Sequence, residues 1–437
     1  MASFECPECG YGTSKWMGFC PQCRVQQPLV EVDRPARKRS APAAAVSMTE
    51  VAATPMERRP SGLGEFDRVL GGGIVPGSVI LLGGEPGIGK STLLLQLAGA
   101  LAAQGQRVLV ASAEESAEQV ALRARRLSVG GDELLLVSDT DVDAVIDSAE
   151  ACKPDLLVVD SIQAVAAAEV GSAPGSVSQV RESAARLIRY AKQRRVPVIL
   201  VGHVTKEGTL AGPKVLEHMV DVVLALEGDQ ERGFRSLRGF KNRFGPTHVV
   251  ALFDMRSEGM VEVADPSEAF LSEWRAGVPG TVVFPSVEGR RSVCVEVQAL
   301  VAPSPLPQPR RSVRGFPTAR VHQIVAVLQR HAGLFLGDRE IYVNIVGGWR
   351  IEEPGADLPV ALALASSALD LPLGSMASWG EVGLAGEIRP VPFHDRRAGE
   401  VARLGVERTL APQPGHSMGI GEALIRAGLA APGAGQA

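Results

Sequence analysis

Residues 84–91 read Gly84-Glu85-Pro86-Gly87-Ile88-Gly89-Lys90-Ser91, a full match to G-x-x-x-x-G-K-[ST], and Thr92 follows. Gly84 and Gly89 let the backbone curl until successive N–H groups point at a polyphosphate, and Gly87 loosens the turn further. Lys90 brings a point charge to the β- and γ-phosphates, and the Ser91 hydroxyl is placed to ligate Mg²⁺. Two acids belong to the same chemistry. The apolar run Leu156-Leu157-Val158-Val159 ends in Asp160, which is expected to hold Mg²⁺ through water. The segment Ala113-Glu114-Glu115-Ser116 closes a second apolar run, and a carboxylate at that point can orient and deprotonate an attacking water.

These groups need elements to position them. An apolar stretch at 79–82 reads as a buried strand before the glycine turn, and an amphipathic helix after it offers its positive N-terminal end to the anion. That strand-before, helix-after context distinguishes a nucleotide-binding loop from an ordinary glycine turn. From Ser61 onward, strands and helices alternate as a parallel sheet with crossovers requires. Strands are expected at 107–113, 156–160, 198–202, 220–227 and 234–240. A mobile loop is expected at 203–217, with Lys206 and Lys214 on it, and Lys241-Asn242-Arg243-Phe244-Gly245 closes the series.

A second chemistry opens the chain. Cys6-Pro7-Glu8-Cys9 and Cys20-Pro21-Gln22-Cys23 are two C-P-x-C knuckles ten residues apart. Each folds two thiolates toward one point, and together they make a tetrahedral S₄ site suited to Zn²⁺. No histidine precedes His203, so a Cys₂His₂ site lacks ligands. A redox dithiol would show one C-x-x-C beside a βαβ unit. So small a module cannot hold a core, and the metal would supply most of its folding energy.

Composition bounds the class. The chain of 437 residues is 45% hydrophobic and 22% charged, as a globular protein of two or three domains would be. There is no apolar run of membrane-spanning length and no charged-then-apolar leader, so a cytoplasmic location without membrane contact is expected. A net charge of −4 leaves nucleic-acid binding to local basic surface. The expected division is a zinc module over 1–27, a Pro/Ala-rich linker over 28–56, an α/β ATPase domain over 57–271 and a further α+β domain over 272–437.

On the Cys₄ module, GGEPGIGKST, AEES, LLVVDSIQ, GHVTKEGTLAGPKVLEHMVD and above all KNRFG at 241–245, the chain resembles the bacterial RadA (Sms) family of RecA-superfamily ATPases. The resemblance covers nearly the whole chain apart from the linker. It implies a RecA-like P-loop core, ATP with Mg²⁺, and a homo-oligomeric, hexameric ring. Its expected partners are single-stranded and branched DNA and a RecA-type recombinase, in recombination and branch migration. Glu114 then best matches the water-activating carboxylate, with Glu115 the alternative. Lys241 and Arg243 would reach a neighbour's γ-phosphate, and the loops after Gln163 and His203 would line a DNA channel.

Residues 272–437 resemble the proteolytic domain of Lon, through Glu353-Pro354-Gly355-Ala356-Asp357 and Gly386-Glu387-Ile388-Arg389-Pro390. Asp357 stands where the Lon serine belongs and Asp395 near its lysine, and no lysine follows Lys241. Serine–lysine hydrolysis therefore has neither partner. Arg290, Arg291, Arg310, Arg311, Arg314 and Arg320 are the candidates for a basic, DNA-binding surface.

Overall fold

The computed structural model describes residues 3–6, 12–13, 15–21, 24, 29–32, 47–48, 57–204, 210–211, 215–228, 233–247, 249–289, 291–305, 308–413, 416 and 418–429. The chain divides into two compact units, Met1–Met56 and Glu57–Ala437. In the first, β1 (Ser3–Glu5) lies between β2 (Gly12–Thr13) and β3 (Val30–Val32), all antiparallel. Cys6, Cys20 and Leu29 are buried together, with Phe4 and Met17 packed against them.

The second unit is built on one large sheet. Its strands are β4 (Val79–Gly84), β5 (Val108–Ser112), β6 (Leu134–Val137), β7 (Leu156–Asp160), β8 (Val198–Val204), β9 (Leu210–Ala211), β10 (Val222–Gly228), β11 (Phe234–Asn242), β12 (Val250–Arg256) and β13 (Gly259–Glu262). The order is β13-β12-β11-β10-β4-β8-β7-β5-β6, with β9 beside β8. Strands β10, β4, β8, β7, β5 and β6 run parallel, and β11 to β13 continue the sheet antiparallel. This is a RecA-like α/β core. Every residue of β4 is buried, as an uninterrupted apolar run in a sheet covered on both faces should be. Alternation divides it: Ile80 and Leu82 join one core with Phe66, Leu93 and Leu97, and Val79 and Leu81 join another with Val180, Leu187 and Tyr190.

Helices α1 (Gly64–Leu70), α2 (Lys90–Ala103), α3 (Ala117–Arg126), α4 (Val142–Cys152), α5 (Val177–Arg194) and α6 (Val215–Met219) cover or edge this sheet. The single mobile loop expected over 203–217 is not what the described residues show. β8 runs on to Val204, β9 returns antiparallel to it, and α6 follows. The cause is local: Leu216 and Val220 are apolar at helical spacing and both are buried. Residues 205–209 and 212–214, with Lys206 and Lys214, lie outside the described residues.

α7 (Pro266–Leu271) leads into the C-terminal half, and its Phe270 packs edge-on against Phe234 and Trp349 at ring-centroid distances of 5.4 and 5.5 Å. A six-stranded sheet follows, from β14 (Thr281–Glu288), β15 (Arg291–Pro303), β16 (Arg311–Arg314), β17 (Arg339–Ile345), β18 (Met376–Ser378) and β21 (Arg408–Leu410). The short strands β19 (Glu381–Val382), β20 (Glu387–Arg389) and β22 (Met418–Gly419) form a separate sheet. Helices α8 (Thr318–His331), α9 (Asp357–Leu369), α10 (His394–Arg403) and α11 (Ile420–Ala427) complete this half. Val250 and Leu252 of β12 share its hydrophobic core. Among the described residues no helix is long and apolar enough to cross a membrane.

Asp357, at the start of α9, is fully buried and ion-paired with Arg320, and it also accepts the Val382 N–H at 3.2 Å. Burial raises its pKa and Arg320 pulls it back. Arg320→Ala leaves an uncompensated buried carboxylate and should cost about 3 kcal/mol, the low end for a broken pair because Arg320 is 32% exposed. A carboxyl with a raised folded pKa binds its proton more tightly in the fold, so its contribution is lost as pH rises. Removing Arg320 raises it further, and denaturant titrations should show a deficit that grows as pH rises above the ordinary carboxylate range.

Candidate nucleotide site

β4 ends at Gly84 and α2 begins at Lys90, so the P-loop joins a buried strand to a helix start. Gly89 caps that helix with φ at 112°, and no side chain caps it; no acid lies in its first turn. The first-turn N–H groups, on Lys90, Ser91 and Thr92, are therefore left for an anion. Gly84 answers a second demand: a Cβ there would lie 2.7 Å from the Leu226 carbonyl oxygen. Glu85, Pro86 and Gly87 form the exposed tip, while Ile88 is buried beneath them. These features fit a polyphosphate.

Lys90 is 5% exposed, and its Nζ donates to the carbonyls of Gly84 at 2.9 Å and Glu85 at 3.0 Å. Burial lowers its pKa, opposed by the charges of Asp160 and Glu114. Asp160 closes β7 and accepts a hydrogen bond from the Ser91 hydroxyl; burial raises its pKa, and the charges of Glu114 and Glu115 raise it further. A desolvated carboxylate beside a hydroxyl and two more acids suits a bound divalent cation. The sequence-expected trio Lys90, Ser91 and Asp160 is thus brought together.

The two candidate bases diverge. Glu114 accepts from the Ser161 hydroxyl, beside Asp160, across a cis Asp160–Ser161 peptide. Glu115 is ion-paired with Arg123 of α3, and its carbonyl accepts a hydrogen bond from the Ser112 O–H at 2.7 Å. A cavity of about 50 Å³ lies between them, lined by Ser91, Glu114, Glu115, Arg123 and Asp160 over an apolar floor of Leu94, Val110 and Val158.

Lys241 and Arg243 are not at this site. Asn242 pairs with Val222 and Val222 with Ile80, so KNRFG stands level with the start of β4. The P-loop leaves four residues further on, about 13 Å away at ~3.3 Å per residue. Lys241 donates to carbonyls at the end of α6, and Arg243 pairs with Asp221 at 3.2 Å. One residue that composition did not flag does reach the loop. Arg235 of β11, 5% exposed, donates from Nε to the Ile88 carbonyl at 3.2 Å. Its signal was a cation on the buried parity of an alternating strand, with Leu237 and Gly239.

The segment after Gln163 carries no lysine or arginine before Arg181, and the Gln179 amide pins it through the carbonyls of Val170 at 2.7 Å and Ser172 at 2.9 Å. Of the zinc ligands, Cys6 and Cys20 are 2% and 0% exposed in one cluster. Cys9 and Cys23 lie outside the described residues. The candidate basic surface splits: Arg310, Arg311 and Arg314 are exposed along the edge strand β16, whereas Arg291 bonds to Glu65 at 3.4 Å and Arg320 is taken by Asp357. Arg290 lies outside the described residues.

The chain is 46% identical over 418 residues to the DNA repair protein RadA of Listeria monocytogenes, across 94% of this chain and 92% of that one. It belongs to the RadA family. The RadA proteins of Bacillus subtilis and Aquifex aeolicus are each 44% identical, over 422 and 415 residues, covering 94% of this chain and 92% and 93% of theirs. An AAA domain family matches residues 47–209, which include the P-loop, Glu114 and Asp160. The KaiC-like protein PH0186 of Pyrococcus horikoshii OT3 superposes with a TM-score of 0.41 at 21% identity, over 48% of this chain and all of its own.

In this RadA-family site Glu114→Gln should bind nucleotide normally and hydrolyse ATP at least about 10²-fold more slowly, as loss of a general base does. Glu115→Gln, whose partner is Arg123, should lose far less. Single-turnover hydrolysis on both variants checks the assignment, and the reverse ranking would refute it.

Proposed function

We propose that this chain is a DNA-dependent ATPase that works as a hexameric ring on single-stranded DNA. It would process branched recombination intermediates with a RecA-type recombinase and promote branch migration. The observation that carries the ring is the register of β11: Arg243 stands at the opposite end of the sheet from its own P-loop. An exposed guanidinium so placed can meet a phosphate only on another subunit, and a trans cation of that kind is worth about 10³–10⁵ in rate in related phosphoryl transfers.

Within one chain Gly84 to Thr92 would cradle the phosphates, and Ser91 and Asp160 would hold Mg²⁺, whose charge offsets that of the phosphate oxygens. Glu114 would take the proton of the attacking water. Ser161, bonded to Glu114, keeps that carboxylate turned toward Asp160. The segment 205–214 would contact DNA phosphates without regard to sequence through Lys206 and Lys214. Arg310, Arg311 and Arg314 would add a second contact on the C-terminal half. A protease reading finds no support, since the Lon-like position holds Asp357, buried and paired with Arg320. Cys6 and Cys20, sharing one buried cluster, support a four-thiolate Zn²⁺ site completed by Cys9 and Cys23.

Steady-state hydrolysis should rise several-fold with single-stranded DNA, less with duplex, and vanish in Lys90→Ala. Elemental analysis of the same reduced preparation should give one zinc per chain. Hydrolysis indifferent to DNA, with no strand displacement, would favour an ATP-switched scaffold over a motor, and a zinc-free preparation would remove the metal site.

A further inference from the structure

Strand β15 alternates between two environments. Val295 and Val297 join the core of the C-terminal half, whereas Glu296, Gln298 and Leu300 belong to the other face of the sheet. Glu296 is nonetheless only 5% exposed. Buried charges are normally paired, and among the described residues the other buried acids obey. Asp221 meets Lys192 and Arg243, and Asp357 meets Arg320. Glu296 meets no cation. Burial raises its pKa, and the one opposing influence is a hydrogen bond from Gln298. That amide is held from behind. Asn344 Nδ2 donates to Gln298 Oε1 at 3.3 Å, and Gln298 Nε2 donates to Glu296 Oε1 at 3.0 Å. The second carboxylate oxygen takes no donor among the described residues.

Glu296 lines a cavity of about 660 Å³ between the 272–278 turn and strands β14 and β15. The rest of its polar wall is short of donors. The Ser272 hydroxyl donates to the Ala269 carbonyl at 2.9 Å, and the Thr281 hydroxyl to that of Val278 at 3.1 Å. Both therefore present lone pairs to a ligand. Glu273 adds a second carboxylate, and Arg275 is the one cation of the lining. The Trp274 N–H is buried without a partner, so its ring meets the cavity as carbon. A metal ion is a poor match, since the described residues group no three His, Cys, Asp or Glu side chains for one. We propose that this cavity receives an arginine side chain of a partner polypeptide, whose guanidinium pairs with Glu296 and lies along the Trp274 ring. A guanidinium has five donors and no acceptor, the complement of this lining. It is more weakly hydrated than an ammonium, so it is buried at less cost, and its plane suits an aromatic wall. Val278 at the rim and Leu300, one pleat beyond Gln298, are 43% and 58% exposed and give the rest of the partner apolar ground. A nucleic acid strand would instead carry its phosphates past Glu273. The site stands independently of the ring reading.

The test is calorimetric titration of the full chain with N-acetyl-L-arginine amide, its neutral isostere N-acetyl-L-citrulline amide, and N-acetyl-L-lysine amide. The arginine amide should bind saturably, and the citrulline amide at least about ten-fold more weakly, as loss of a charge-assisted hydrogen bond requires. Glu296→Gln keeps the shape and removes the charge. It should bind the arginine amide no better than the citrulline amide, while its ATP binding stays at the wild-type level. Should that variant not fold, Thr281→Val serves: it removes one acceptor from the wall and should weaken the arginine amide by a smaller factor. Arginine amide that does not saturate, or that binds no tighter than citrulline amide, would overturn the proposal. So would wild-type affinity in whichever variant folds. Lysine amide binding as tightly would overturn the guanidinium. L-Arginine binding at least about ten-fold tighter than the blocked amide would make the free amino acid the ligand and overturn the polypeptide partner.

Discussion

A strand buried on both faces can carry chemistry only at its ends, and β4 is such a strand. Each backbone polar group along it must find a partner, because a buried one left unpaired costs about 1–3 kcal/mol. Neighbours β8 and β10 provide the ladder. At the start, where Val79 would otherwise have only part of its bonding, the Asp221 carboxylate accepts its N–H while the Asp221 N–H donates to its carbonyl at 3.0 Å. At the far end the chain escapes into the P-loop. One functional group therefore lies at each end: the phosphate cradle above, and Arg243, docked on Asp221, below. A rigid parallel sheet keeps them apart, so in the proposed ring it is assembly that would bring a cradle and a guanidinium together.

A different core makes Glu57–Ala437 one compact unit, since Val250 and Leu252 of β12 pack with the C-terminal half. Phe270 fills the space between Phe234 of the ATPase sheet and Trp349 of the C-terminal half. Arg238 adds an ion pair to Glu288 at 2.9 Å and lies over the Trp349 ring at 5.2 Å. β11 is thus tied to the C-terminal half by close-packed side chains.

Contiguous chemistry was legible in the sequence. The P-loop is eight successive residues, Asp160 ends an apolar run, and the apolar face of the helix Thr318–His331 repeats at 3.6 residues. What depends on which way a side chain turns was not legible. Glu114 and Glu115 are adjacent in sequence, and only Ser161 and Arg123, each folded in from elsewhere, separate their roles. Arg291 and Arg320 read as basic surface but are spent on Glu65 and Asp357. Nor could the sequence show that Lys241, within its own chain, donates to carbonyls at the end of α6. The 203–217 stretch looked irregular because its glycines and proline outweighed a short apolar repeat at Leu216 and Val220.

The claim on which the rest turns is that one nucleotide site is made by two chains. Mixing Arg243→Ala with Lys90→Ala tests it most directly, once labelled subunits show that the two exchange. Each protein alone should be nearly inactive. At equal amounts about a quarter of interfaces in a ring would pair an intact Lys90 with an intact Arg243, and DNA-stimulated hydrolysis should return in proportion. With exchange established, no recovery at any mixing ratio would contradict the account and return Arg243 to a role within its own chain.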